Sequence, residues 1–197
     1  IRRELVTVDR NGRRVVRISK EVEPLTEVER WERSVAELPA EQQVKAVVRR
    51  LKELNPAFDG AVTPTIENGV VTRLQLLTDD VDDISPVRAL RGLEALGCAG
   101  TYPSKGKLSD LTPLRGLRLK ELACNSTQVA DLGPLRGMNL TVLFCSETRV
   151  SDLSPLQGMP LTVLTLQHTN VKNLAPLKGM PLTFLDIAAT RGVSDLS

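Results

Sequence analysis

Four prolines, Pro113, Pro134, Pro155 and Pro176, stand 21 residues apart each time. This fixed period constrains the fold more than any other feature of the 197-residue chain. A 20–50-residue repeat builds stacked units, because no single unit can bury its own apolar face. Each proline sits in a string of one type. The strings are Asp110-Leu111-Thr112-Pro113-Leu114, Asp131-Leu132-Gly133-Pro134-Leu135, Asp152-Leu153-Ser154-Pro155-Leu156 and Asn173-Leu174-Ala175-Pro176-Leu177. Gly116, Gly137, Gly158 and Gly179 follow three residues after each proline.

A second string, L-x-x-L-x-[C/L/I]-x-x-T-x-V, lies upstream of each. It reads Leu119, Leu122, Cys124, Thr127, Val129, and recurs as Leu140, Leu143, Cys145, Thr148, Val150. Leu161, Leu164, Leu166, Thr169 and Val171 follow, then Leu182, Leu185, Ile187, Thr190 and Val193. Backwards, the register takes in Leu93, Leu96, Cys98 and Thr101, with Leu108 in the valine slot after an insertion around Tyr102 to Lys107. Val71, Leu74, Leu76, Asp79 and Val81 also fit, which makes about six units, the last truncated near Ser197.

These strings resemble the leucine-rich repeat in its short bacterial form, typified by internalins. The resemblance spans Val71 to Ser197 and implies an α/β repeat, a leucine-rich-repeat solenoid with parallel strands on the concave face. One departure is threonine, or Asp79 in the first unit, at the ninth position, where the family places asparagine. The spacing supports the same shape independently. Leu-x-[Cys/Leu/Ile] alternates with period two, which suits a short strand with one face inward. Asp110, Asp131 and Asp152 are placed to cap backbone N–H groups of a compact convex segment. The buried threonines are expected to hydrogen-bond the turns of neighbouring units.

A solenoid needs end caps. Val28, Trp31, Val35 and Leu38 follow helical spacing up to Pro39; Val44, Val47, Val48, Leu51 and Leu54 form a second stripe closed by Asn55-Pro56. This predicts an N-terminal two-helix cap. Together with a hairpin turn at Ile66–Val70 it makes residues 21–70 one capping segment. Residues 1–20 hold two β-prone runs around Asn11-Gly12, a β-hairpin signal. A lone hairpin is marginal in water, so 1–20 are expected to be the end of an upstream β domain, and the chain to be a piece of a longer protein. Its seven basic residues against Glu4 and Asp9 are read as a solvated face.

Composition excludes several functions. His168 is the sole histidine, and aromatics number five: Trp31, Tyr102, Phe58, Phe144 and Phe184. This leaves no two-histidine zinc site and no stacking platform for single-stranded nucleic acid. A net charge of +2 gives no global field for DNA or membrane. No apolar run approaches the ~20 residues of a spanning helix. No phosphate-loop, kinase catalytic-loop or nucleophile-elbow string occurs, so no enzyme activity, catalytic residue, metal or cofactor is assigned. Cys98, Cys124 and Cys145 share the inward sixth position and are read as small buried hydrophobes rather than metal ligands. The column Asp83, Asp110, Asp131, Asp152 and Asp195 is read as capping rather than Ca²⁺ binding.

What remains is the concave face. The third position of successive units reads Arg73, Ala95, Glu121, Val142, Val163, Phe184, and the fifth Gln75, Gly97, Ala123, Phe144, Thr165, Asp186. Val142, Phe144, Val163 and Phe184 therefore cluster outward on three adjacent strands, with Thr165 and Asp186 beside them and Glu147, Gln167 and His168 as a polar rim. Such a patch fits a protein or peptide ligand. The alternative is burial under further units or another domain, as in a structural or adhesion repeat. Trp31-Glu32-Arg33-Ser34-Val35, Leu38-Pro39-Ala40-Glu41 and the Asp-Leu-Ser-Pro-Leu-x-Gly-Met-Pro strings resemble repeat regions attached to large bacterial serine/threonine protein kinases. That resemblance implies a sensory or scaffolding tail, with an extracytoplasmic setting and the kinase domain elsewhere.

Overall fold

The computed structural model describes residues 24–190, together with the backbone of 2–8 and 14–20. The chain divides into two compact units at Trp31/Glu32. In the first, β1 (Arg2–Val8) and β2 (Arg14–Lys20) pair antiparallel, from Arg2 opposite Lys20 to Val8 opposite Arg14. The Asn11-Gly12 turn expected between them lies outside the described residues, as do Val193, Asp195 and Leu196 of the last repeat.

Helix α1 (Glu27–Ala36) crosses the division, and α2 (Ala40–Leu54) follows Pro39. The start of α1 is a capping box: the Thr26 hydroxyl accepts from the Glu29 amide while the Glu29 carboxylate takes the Thr26 amide at 2.8 Å. Of the apolar stripe expected on α1 only Val35 is buried; Val28 is 53% exposed. The second helix conforms better, sinking Val47 and Leu51 completely. It packs on the 3₁₀ segment Ser85–Ala89 of the first coil and on the hairpin that follows. Buried Asn55 ties the two together. Its amide donates to the carbonyls of Leu51 and Asp83, at 2.8 and 2.9 Å, and its oxygen accepts from the amides of Asp82 and Asp83.

Strands β3 (Val62–Glu67) and β4 (Val70–Leu76) form an antiparallel hairpin about Asn68-Gly69, both left-handed at φ 51° and 76°. Two consecutive positive φ values are what a two-residue hairpin requires, and Asn-Gly supplies them at low cost. Next to β4, in parallel and in register, come β5 (Ala95–Gly97), β6 (Glu121–Ala123), β7 (Val142–Phe144), β8 (Val163–Thr165) and β9 (Phe184–Asp186). The outer strand β3 carries Pro64 among exposed threonines, which blunts an edge that invites further pairing.

Each of β5–β8 is followed by a turn and a short 3₁₀ segment containing the repeat proline: Thr112–Leu114, Gly133–Leu135, Ser154–Leu156 and Ala175–Leu177. The convex aspartates do the expected capping. Asp110, Asp131 and Asp152 each accept the amide two residues on, at 2.7–2.8 Å, and Asn173 and Asp83 do the same. The glycine after each segment turns the chain back at φ +77° to +83°, a region costly for any residue with a Cβ. Between wall and turns the first, fourth and sixth positions of the inner coils are buried almost completely. Each such leucine contributes about 1.5–3 kcal/mol by burial. The repeats are a leucine-rich-repeat solenoid.

Candidate functional site

The register places the third-position residues Glu121, Val142, Val163 and Phe184 side by side on successive strands, and Ala123, Phe144, Thr165 and Asp186 in a parallel row. Since alternate residues of a strand face opposite ways, Leu122, Leu143 and Leu164 point inward between them, at 0% exposure. Val142, Phe144, Val163 and Thr165 are half-buried, and Phe184 is 51% exposed. Four apolar side chains thus stand on three strands ~4.8 Å apart, open to solvent.

The rim residues already hold hydrogen bonds. The Gln167 side-chain amide donates to the Asp186 carboxylate, whose other oxygen accepts the Ala188 amide at 3.0 Å. Glu147 takes the Ser104 hydroxyl on its carbonyl at 3.2 Å and the Ser126 hydroxyl on its carboxylate at 3.4 Å. His168 is exposed, with its own amide on the Ala188 carbonyl at 3.2 Å. Glu147 and His168 share the eighth position with Ser126 and Ala189, and all four are left-handed, φ 53–56°. The same backbone twist repeated at each coil swings this residue to the rim.

The first half of the concave face differs. The Arg73 guanidinium bridges to the Glu121 carboxylate at 2.7 Å, passing over the small residue Ala95 that separates them in register. Gly97 and Ala123 keep the neighbouring row low.

Two expectations about threonine fail. Buried Thr127, Thr148 and Thr169 do not bridge coils: each hydroxyl donates to the carbonyl three residues back in its own turn, at 2.7 Å. A hydroxyl on a one-carbon stem satisfies the nearest acceptor and lacks an asparagine's reach. Thr190 donates to Ile187 and also reaches the preceding coil's Leu166 carbonyl, at 2.5 and 3.2 Å. The coils are instead linked by second-position threonines. Thr141, Thr162 and Thr183 donate to the carbonyls of Lys120, Thr141 and Thr162, at 3.0–3.1 Å. Nor does the ninth-position column extend through the first two coils. Thr101 is exposed, its amide on the Asp79 carboxylate at 2.7 Å, while Thr78 is the buried residue and donates to the Cys98 carbonyl.

The insertion is the cause. Residues 102–107 fold back toward the next coil, where the Gly106 backbone amide meets the Ser126 carbonyl at 3.0 Å and the Gln128 side-chain amide donates to the carbonyls of Ser104 and Gly106. A Cβ on Gly100 would lie 2.2 Å from the Gly106 nitrogen and 2.3 Å from the Ser126 oxygen. Gly100 just before the insertion and Gly106 within it were the available signal for this closure.

Cys98, Cys124 and Cys145 are free thiols in the interior. Burial pushes all three pKa values up, Cys124 to about 12, so they stay protonated and behave as small hydrophobes. Among the described residues no group of three His, Cys, Asp or Glu is arranged to hold a metal ion, and no helix is long and apolar enough to cross a membrane.

The likenesses are to internalins. Internalin C2 of Listeria monocytogenes is 24% identical, with a TM-score of 0.46, over 61% of this chain and 63% of that one. Internalin F of the same organism is 19% identical, TM-score 0.42, over 81% and 61%. The functional domain of InlJ, also from Listeria monocytogenes and including a cysteine ladder, is 20% identical, TM-score 0.44, over 64% and 32%. The chain spans less than two thirds of each of these. No family model and no curated protein matches it.

Proposed function

We propose that the repeats are a non-enzymatic module that binds a protein or peptide on the concave face of β7–β9. The observation that carries this reading is the open cluster of Val142, Phe144, Val163 and Phe184, in a chain with only five aromatics. Exposed apolar patches with aromatic anchors mark contact sites. Thr165, Asp186, Glu147, Gln167 and His168 supply hydrogen-bonding groups around it. Partner capture with the immobilised chain tests the reading, the Phe144→Asp/Phe184→Asp variant being the comparison. Loss of the captured partner is expected; capture unchanged by a variant with a native circular dichroism spectrum would remove the idea.

A second reading makes the module the sensory or scaffolding tail of a larger bacterial serine/threonine protein kinase. It rests on the resemblance of Trp31–Val35 and Leu38–Glu41 and of the Asp-Leu-Ser-Pro-Leu strings to such tails. A parent reading frame without a kinase domain upstream rules it out.

A further inference from the structure

The edge by which the chain enters its strands carries a charge pattern that the concave face does not use. Between the second and third coils lies an open trough of about 1070 Å³, lined by Arg115, Arg118 and Arg136 together with the apolar Leu117, Pro134 and Met138. A second depression of about 540 Å³ shares Arg115 and Arg118 and continues past Arg91 to Arg88. With Lys120, six cations line the two, against the carboxylates of Glu32 and Glu94. Both carboxylates are occupied: Glu32 by Arg88 at 3.1 Å and Glu94 by Lys120 at 2.8 Å. Arg91, Arg115, Arg118 and Arg136 are exposed and have no ion pair among the described residues. Four guanidiniums without an ion pair along two adjoining depressions stand out in a chain whose net charge is +2.

We propose that this trough binds an acidic polypeptide segment, its carboxylates on Arg115, Arg118 and Arg136 and an intervening apolar side chain on Leu117 and Met138. Arginine's planar fork matches a carboxylate with two parallel hydrogen bonds, and a recess concentrates the field of the charges around it. Gly116 and Gly137 carry no side chain, and space lies open where their Cβ atoms would stand, so an incoming backbone can approach both turns. Single-stranded nucleic acid fits less well, because none of the residues lining the trough is aromatic and bases would have nothing to stack on. A membrane fits less well, because none of the large apolar side chains that line the trough is exposed for insertion into a bilayer.

The test is fluorescence anisotropy with the whole chain and a labelled peptide of alternating Glu and Leu, set against its Gln-Leu counterpart. The acidic peptide is expected to bind at low salt, to weaken as salt is raised, and to lose at least about tenfold in affinity in Arg115→Glu/Arg118→Glu. Arg118→Lys, which keeps the charge and loses the fork, should lose less. Phe144→Asp/Phe184→Asp should bind as the parent does, which separates this surface from the concave one. Equal binding of the Gln-Leu peptide, or an Arg115→Glu/Arg118→Glu variant that binds as well as the parent, overturns the proposal. So does failure of the acidic peptide to bind while single-stranded DNA or phosphatidylserine vesicles bind through the same arginines.

Discussion

The two halves of the concave wall share a backbone and differ in how their coils are held together. From β4 to β6 the coils are linked by charge: Arg73 to Glu121 across the face and over the coil between them, and, between neighbouring coils, Lys120 to Glu94 and Lys107 to Asp80. From β7 to β9 the same second position carries Thr141, Thr162 and Thr183, each on the carbonyl of the coil before it, and the third carries Val142, Val163 and Phe184. No ion pair occurs beyond Glu121 among the described residues. The lesson is one of division of labour. Where side chains close the face with an ion pair the wall is self-sufficient; where backbone-directed hydroxyls do the linking, the outward positions are left free for apolar residues.

The comparison is most severely tested from beneath. Leu122 lies under the charged half and Leu143 under the apolar half, both at 0% exposure. Each truncated to alanine should cost about 2–5 kcal/mol by urea unfolding. If only one is costly, the inner frameworks are not equivalent and the contrast is more than skin-deep. Next in size is the threonine ladder. Thr162→Val leaves the shape and removes one hydroxyl-to-carbonyl bond, with an expected loss of about 0.5–1.5 kcal/mol that does not change with salt. The charged half should respond in the opposite way. Arg73 and Glu121 are each about two-fifths exposed, so a double-mutant cycle to alanine should return only about 0.2–1 kcal/mol, shrinking further at high salt. A coupling that resists salt would mean that the pair is better shielded than its exposure indicates.

The smallest effects are in acid, with one carboxylate in each half. Hydrogen bonds from Thr101, first, and the nearby Lys105 and Lys107 hold Asp79 below the usual aspartate range; hydrogen bonds from Ser154, with Arg136 at a distance, do the same for Asp152. A folded-state pKa below the unfolded one stabilises the protein above about pH 4 and ceases to do so as pH falls through the folded value. The Thr101 and Ser154 amide resonances should therefore both titrate with midpoints below about 4. Midpoints at or above the ordinary aspartate value would show that these caps do not persist in solution.

The three cysteines illustrate how much of the interior was legible beforehand. They sit at the sixth position, where period-two alternation points inward, and the structure places all three at 0% exposure. The outward rows of the wall followed from the same alternation. The buried threonines were legible as buried but not in their bonding, because spacing tells which way a side chain points and not which of several carbonyls lies nearest. The insertion at Tyr102–Lys107 was visible only as an interruption of the period. Its contacts with Ser126, Gln128 and Glu147 depend on chain closure between coils, which local pattern does not encode.

Leucine spacing alone determined the coil, its period and the face that each residue takes, since a residue's direction on a strand is a local property of the backbone. Stacking decided the rest: Arg73 finding Glu121 over Ala95, the second-position threonines linking coils, and Arg118 and Arg136 lining one trough. Those are encounters between residues 18 to 48 positions apart in the chain, and they exist only once the units lie one on another.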